Sequence, residues 1–168
     1  MKNVVIIGFI NEDMQKIGQE LANKLDFYYL DIEKLIEYSL GNKLEMENVC
    51  GLEYLKNEEK KIVYSINSYE RTVVSISYET FINNLDAISS SNVLIYLRQT
   101  KMQFSKRIKN LRESGIENEN LNNYLISEIA FEERDKLLKK NCNFAIRYDI
   151  SKLNDLISNI ENYLTEQS

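Results

Sequence analysis

Val4-Val5-Ile6-Ile7-Gly8-Phe9-Ile10-Asn11-Glu12-Asp13-Met14-Gln15-Lys16-Ile17-Gly18 is the stretch whose reading decides the fold. Four consecutive apolar residues form a strand with no polar side, so both of its faces must be covered, as in the middle of a parallel sheet. Gly8 ends the strand. From Met14 to Leu25, Ile17, Leu21, Ala22 and Leu25 recur at helical spacing. A strand, a glycine, a loop and a helix cradle a phosphate when the run reads G-x-x-x-x-G-K-[ST]. Only glycines let successive N–H groups curl round the anion, while the Lys and the hydroxyl reach the terminal phosphate and Mg²⁺. Here Gly8 is in place and Asn11 lies within the loop, but Asp13 stands at the second glycine, Met14 at the Lys and Gln15 at the hydroxyl. Glu12 and Asp13 would also face the phosphates, and two like charges about 5 Å apart cost roughly 3 kcal/mol at an effective dielectric of ~20. Lys16 is the nearest cation, two positions too late and inside the helix.

Strand and helix patterns alternate along the rest of the chain. Phe27 to Leu30 reads as a second buried strand, and Asp31 to Leu40 as a helix capped by Asp31 and stopped at Gly41. Leu44 to Asn67 is helical, with a break at Gly51. Thr72 to Ser77, Val93 to Leu97 and Asn143 to Tyr148 are strands. Helices are expected over Glu79 to Ser89, Thr100 to Leu111, Leu121 to Lys140 and Ser151 to Leu164. This order predicts an α/β fold with a five-stranded parallel sheet, helices on both faces and right-handed connections.

With 168 residues, 43% hydrophobic and 28% charged, the chain is long enough for one sizeable core, and a single domain over 1–168 is expected. A net charge of −5 with scattered cations disfavours nucleic acid or an anionic membrane as partner. The longest apolar run is too short to span a bilayer and no cleavable signal precedes it, so the expected location is the cytoplasm. There is no His, which excludes Ser-His-Asp and Cys-His nucleophiles. Cys50 and Cys142 lie far apart and read as reduced, partly buried thiols rather than metal ligands.

Val4 to Ile10, Ile17 to Leu25 and Leu30-Asp31-Ile32-Glu33 together resemble the start of shikimate kinase, and the resemblance continues to about Leu164. It implies a three-layer P-loop kinase fold with strand order 2-3-1-4-5, a substrate-binding region at 35–61 and a lid at 112–121. By position, Asp31 would contribute to the water shell of Mg²⁺ and Glu33 would meet a substrate hydroxyl. Lys56 stands where the family has an Arg that grips the substrate carboxylate, and it offers only a point charge. Arg134 matches a second carboxylate-binding Arg. Arg112 is the only Arg in an acidic lid that lacks the family's Arg-Pro-Leu-Leu. Where the family has Gly-Gly-Gly after the third strand, this chain has Ser77-Tyr78-Glu79, which should obstruct the substrate pocket.

The resemblance therefore implies a shikimate-kinase-like protein whose ATP-dependent phosphorylation is lost or severely impaired. No cofactor is expected to bind tightly, and the role would be binding or regulation with a small-molecule or protein partner. Tyr54, Tyr64, Tyr69 and Tyr78 are either anchors for such a partner or core residues. The alternative is an active shikimate kinase, or another small-molecule kinase, with a divergent site that uses Lys16 and Asp31 with ATP and Mg²⁺.

Overall fold

The computed structural model describes residues 3–88 and 90–167. Strands β1 (Val4–Gly8), β2 (Tyr28–Asp31), β3 (Thr72–Ser77), β4 (Val93–Arg98) and β5 (Phe144–Arg147) form one parallel sheet in the order β2-β3-β1-β4-β5. β1 is central and fully buried, with Val4 opposite Val73 on one side and Val93 on the other. Its side chains divide between two cores, as the two-sided apolar run requires. Val4 and Ile6 pack with α1 (Asn11–Leu25) and α9 (Leu153–Glu166), while Val5 and Ile7 pack with the helices of the opposite face. Those helices are α2 (Ile32–Leu40), α4 (Leu52–Ser65), α5 (Tyr78–Asn83), α6 (Lys101–Glu113), α7 (Leu121–Ile129) and α8 (Phe131–Asn141). The short α3 (Lys43–Cys50) joins α2 to α4. α1 approaches the sheet closely because Gly18 has no side chain: a Cβ there would lie 2.6 Å from the Tyr29 ring and 3.1 Å from Ile6.

Several expectations need correction. α1 begins at Asn11, three residues before the sequence pattern, because the acidic first turn suits a helix N-terminus. β2 is an edge strand with Tyr28 78% exposed, not a buried one, since only β3 flanks it. The helix expected to reach Ser89 stops at Asn83, where the Asn84 amide donates to the Thr80 carbonyl oxygen, and a 3-10 turn follows; Ser89 itself lies outside the described residues. The long helix from Leu121 breaks at Ala130, so that α7 packs on α6 and α8 on β4. Cys50 is exposed rather than partly buried, because no residue of α3 is buried. Among the described residues no helix is long and apolar enough to cross a membrane.

Candidate functional site

In an open parallel sheet the ligand crevice lies beyond the strand C-termini where the strand order reverses. Here that place is the end of β1, between β3 and β4. The connection from β1 to α1 is only Phe9 and Ile10, both buried, so Asn11 to Asp13 form the first helical turn instead of a loop. Met14 is buried and lies back over Gly8: a Cβ on Gly8 would come within 2.6 Å of both Met14 Sδ and Cε. Phe9 is fixed among four rings, Tyr78, Tyr96, Phe104 and Phe131, at centroid distances of 5.3–6.0 Å.

The helix N-terminus is closed from the side of the expected lid. The Asn11 N–H donates to the Tyr124 hydroxyl oxygen (2.9 Å), and that hydroxyl donates to Glu12 Oε2 (2.6 Å). Asn118 donates to Glu12 Oε1 (2.9 Å), and the Asn11 amide reaches Asn120 Oδ1 (3.3 Å). Asp13, one residue on, accepts from Arg107 (3.2 Å) and from the Tyr148 hydroxyl (2.9 Å). Burial lifts the Asp13 carboxyl above its ordinary range, against the opposing pull of Tyr148 and Arg107. Burial, followed by the neighbouring Glu12 carboxylate, likewise pushes the Tyr124 hydroxyl up, so that it remains a donor.

On the acceptor side, Asp31 caps α2 by accepting from the N–H groups of Glu33 (3.0 Å) and Lys34 (3.3 Å). Its other oxygen, Oδ2, is buried and has no hydrogen-bond partner among the described residues. Asp31, Glu33, Asn11, Met14, Gln15, Ser75 and Ser77 line a cavity of about 10 Å³, roughly room for one water. Glu33 binds the start of α5, accepting from the Ser77 N–H (3.1 Å) and the Thr80 hydroxyl (3.1 Å). Tyr78 is core. The Arg134 guanidinium lies 4.3 Å over its ring and donates to Glu79 (2.8 Å) and Ser127 (2.8 Å).

Gly8, Asn11, Asp13, Met14, Gln15, Asp31 and Glu33 are thus brought together, and Arg134 lies against Tyr78 and Glu79. Lys16, Lys56 and Arg112 are exposed on α1, α4 and α6, and none of them joins this cluster. Phe9, Arg107, Asn118, Asn120, Tyr124 and Tyr148 build the site without having been singled out in the sequence. The available signal was the pair Glu12 and Asp13 beside an apolar run, two carboxylates that a buried helix start must supply with donors.

The sheet order, the two helical layers and the crevice at the end of β1 define the P-loop kinase fold. The sequence pattern described as "Shikimate kinase" matches residues 15–165, starting just after the closed connection, and the chain belongs to the shikimate kinase family. The shikimate kinase of Caldicellulosiruptor bescii is 25% identical over 158 residues, covering 89% of this chain and 88% of the relative. That of Sulfurihydrogenibium sp. is 29% identical over 113 residues, covering 66% and 68%. The solved shikimate kinase of Acinetobacter baumannii, in complex with shikimate, superposes with a TM-score of 0.73 at 17% identity, covering 100% of this chain and 95% of that one. The structure from Bacteroides thetaiotaomicron gives 0.74 at 15% identity, covering 98% of each chain.

Proposed function

We propose that this chain is a shikimate kinase relative in which ATP·Mg²⁺ binding and phosphoryl transfer are lost or severely impaired, and that it serves as a binding or regulatory module. The observation that carries this reading is the closed β1–α1 connection. Of the N–H groups at the start of α1, that of Asn11 is bonded to Tyr124, and those of Glu12 and Asp13 belong to residues whose own carboxylates stand in the first turn. Met14 occupies the lysine position with an apolar side chain folded over Gly8, and Glu12 supplies negative charge where a phosphate would need positive charge. The triphosphate does not fit these residues. On the acceptor side, Glu33 and Arg134 spend their charges on internal partners. Phosphoryl transfer depends on positioning and charge neutralisation, and neither is supplied here.

The test is a coupled assay of ADP release with ATP·Mg²⁺ and shikimate. No turnover above background is expected, and turnover at rates of the family's active members would overturn the reading.

The second reading, an active kinase with a divergent site, draws on Asp31. Its Oδ2 is buried without a partner among the described residues, Asp31 lines a water-sized cavity, and a free carboxylate oxygen suits the water shell of a hard cation. Shikimate-dependent ADP release abolished by Asp31→Asn would favour it.

A further inference from the structure

α6 is strongly basic although the chain carries a net charge of −5: Lys101, Lys106, Arg107, Lys109 and Arg112 stand against Glu113 alone. Two of these cations are neutralised inside the molecule, Lys101 by Glu132 (2.9 Å) and Arg107 by Asp13 (3.2 Å). The other three, Lys106, Lys109 and Arg112, line an open groove of about 390 Å³ between α6 and α7, together with Ser105, Ile108 and, from α7, Glu128. Lys106 and Arg112 have no carboxylate partner among the described residues. Lys109 reaches Glu113 at only 3.8 Å, with both side chains exposed, a geometry that contributes little. The negative field of a helix C-terminus is confined to the last turn; it accounts for Arg112 but not for Lys106 and Lys109.

At two other open grooves the cations are matched. On α4, Lys60 pairs with Asp86 and Lys61 with Glu58. Beside the starts of α6 and α9, Arg147 and Lys152 share their groove with Asp149 and Asp155. Unmatched positive charge in a walled groove concentrates anions there. The α6–α7 groove shares no lining residue with the cavity beside Asp31 at the end of β1, so what it binds does not depend on whether ATP fits.

We infer that the α6–α7 groove docks a short acidic segment of a partner protein, whose carboxylates are held by Lys106, Lys109 and Arg112. Residues three apart on a helix have Cβ atoms about 5–6 Å apart. Carboxylates one helical turn apart, or two residues apart in an extended segment, meet that spacing. Arg112 offers a carboxylate a two-pronged fork and the lysines add point charges, the mode by which basic clusters recognise acidic motifs. Glu128 repels an anion from the α7 side and directs the carboxylates to α6. A nucleic acid or an anionic bilayer would extend past the groove onto a molecule of net negative charge; a short segment would not.

Fluorescence anisotropy of dye-labelled hexaglutamate with the full chain at low ionic strength tests the inference. Binding should saturate and weaken about tenfold at physiological salt, which screens surface charges. Lys106→Glu/Arg112→Glu should weaken it about tenfold or more, and Lys106→Gln/Arg112→Gln, which adds no negative charge, about fivefold. Lys136→Glu/Lys140→Glu makes the same change in net charge on exposed positions of α8 and should alter binding by no more than about twofold. In amide spectra of the wild type, hexaglutamate should shift Ser105, Lys106, Lys109 and Arg112 before residues elsewhere. Four results would overturn the inference: no binding of hexaglutamate, equal weakening by the α6 and α8 charge reversals, groove-dependent binding of hexathymidylate or phosphatidylserine vesicles as tight as that of hexaglutamate, or self-association of the wild type that the α6 variant abolishes.

Discussion

Asp13 is a carboxylate that the fold buries and then supplies with two donors, Arg107 and Tyr148. Burial outweighs them and its pKa is raised above the ordinary 3.8. Between 3.8 and the raised folded value, the folded state therefore binds more protons than the unfolded state. The Asp13 contribution is most favourable at low pH and is lost as pH rises through the folded value. Wild type should accordingly gain stability relative to Asp13→Asn as pH falls from 7 towards 4, measured by urea denaturation at each pH. A gain in the opposite direction would show that the donors outweigh burial. Arg134 offers a second test at this scale. Its contacts with Glu79, Ser127 and the Tyr78 ring are internal and mostly buried. Arg134→Ala should cost about 2 kcal/mol of stability, less than a fully buried pair because Glu79 is partly exposed. Shikimate should not shift the melting temperature of wild type or variant; a shikimate-dependent rise confined to wild type would return Arg134 to ligand binding.

At the level of elements, the decisive relation is between the start of α1 and the segment from Asn118 to Tyr124. Tyr124→Phe removes the hydroxyl that accepts from Asn11 and donates to Glu12. It should cost about 1–2 kcal/mol, for two part-buried hydrogen bonds lost. Hydrogen exchange at the Asn11 amide should accelerate more than at amides in the middle of β1; equal acceleration at both would mean global unfolding instead of local opening. The sequence made the strands legible because a strand covered on both faces has to be apolar throughout, as Val4 to Ile7 is. It also showed Asp31 as a cap and Gly51 as a break, both local signals. It could not show the Tyr124–Glu12 bond, whose partners are 112 residues apart, nor that α1 starts at Asn11, since a helical first turn and a loop share the same residue types there. Arg134 matches a carboxylate-binding position by the resemblance alone; its packing on Tyr78, 56 residues earlier in the chain, has no local signal.

For the molecule as a whole, the family's sheet is retained while the crevice at its C-terminal edge is filled by the chain's own side chains. Aromatic rings gather round Phe9, Met14 covers Gly8, and Glu12 and Asp13 take their donors from α6, α7, the segment before α7 and Tyr148 after β5. A nucleotide would have to displace this packing and bring its phosphates up to Glu12 and Asp13, two carboxylates in the first turn of α1. Titration calorimetry of the full chain with ATP·Mg²⁺ tests this most directly. No saturable heat is expected up to millimolar nucleotide, and a micromolar dissociation constant would show that the crevice still admits the triphosphate.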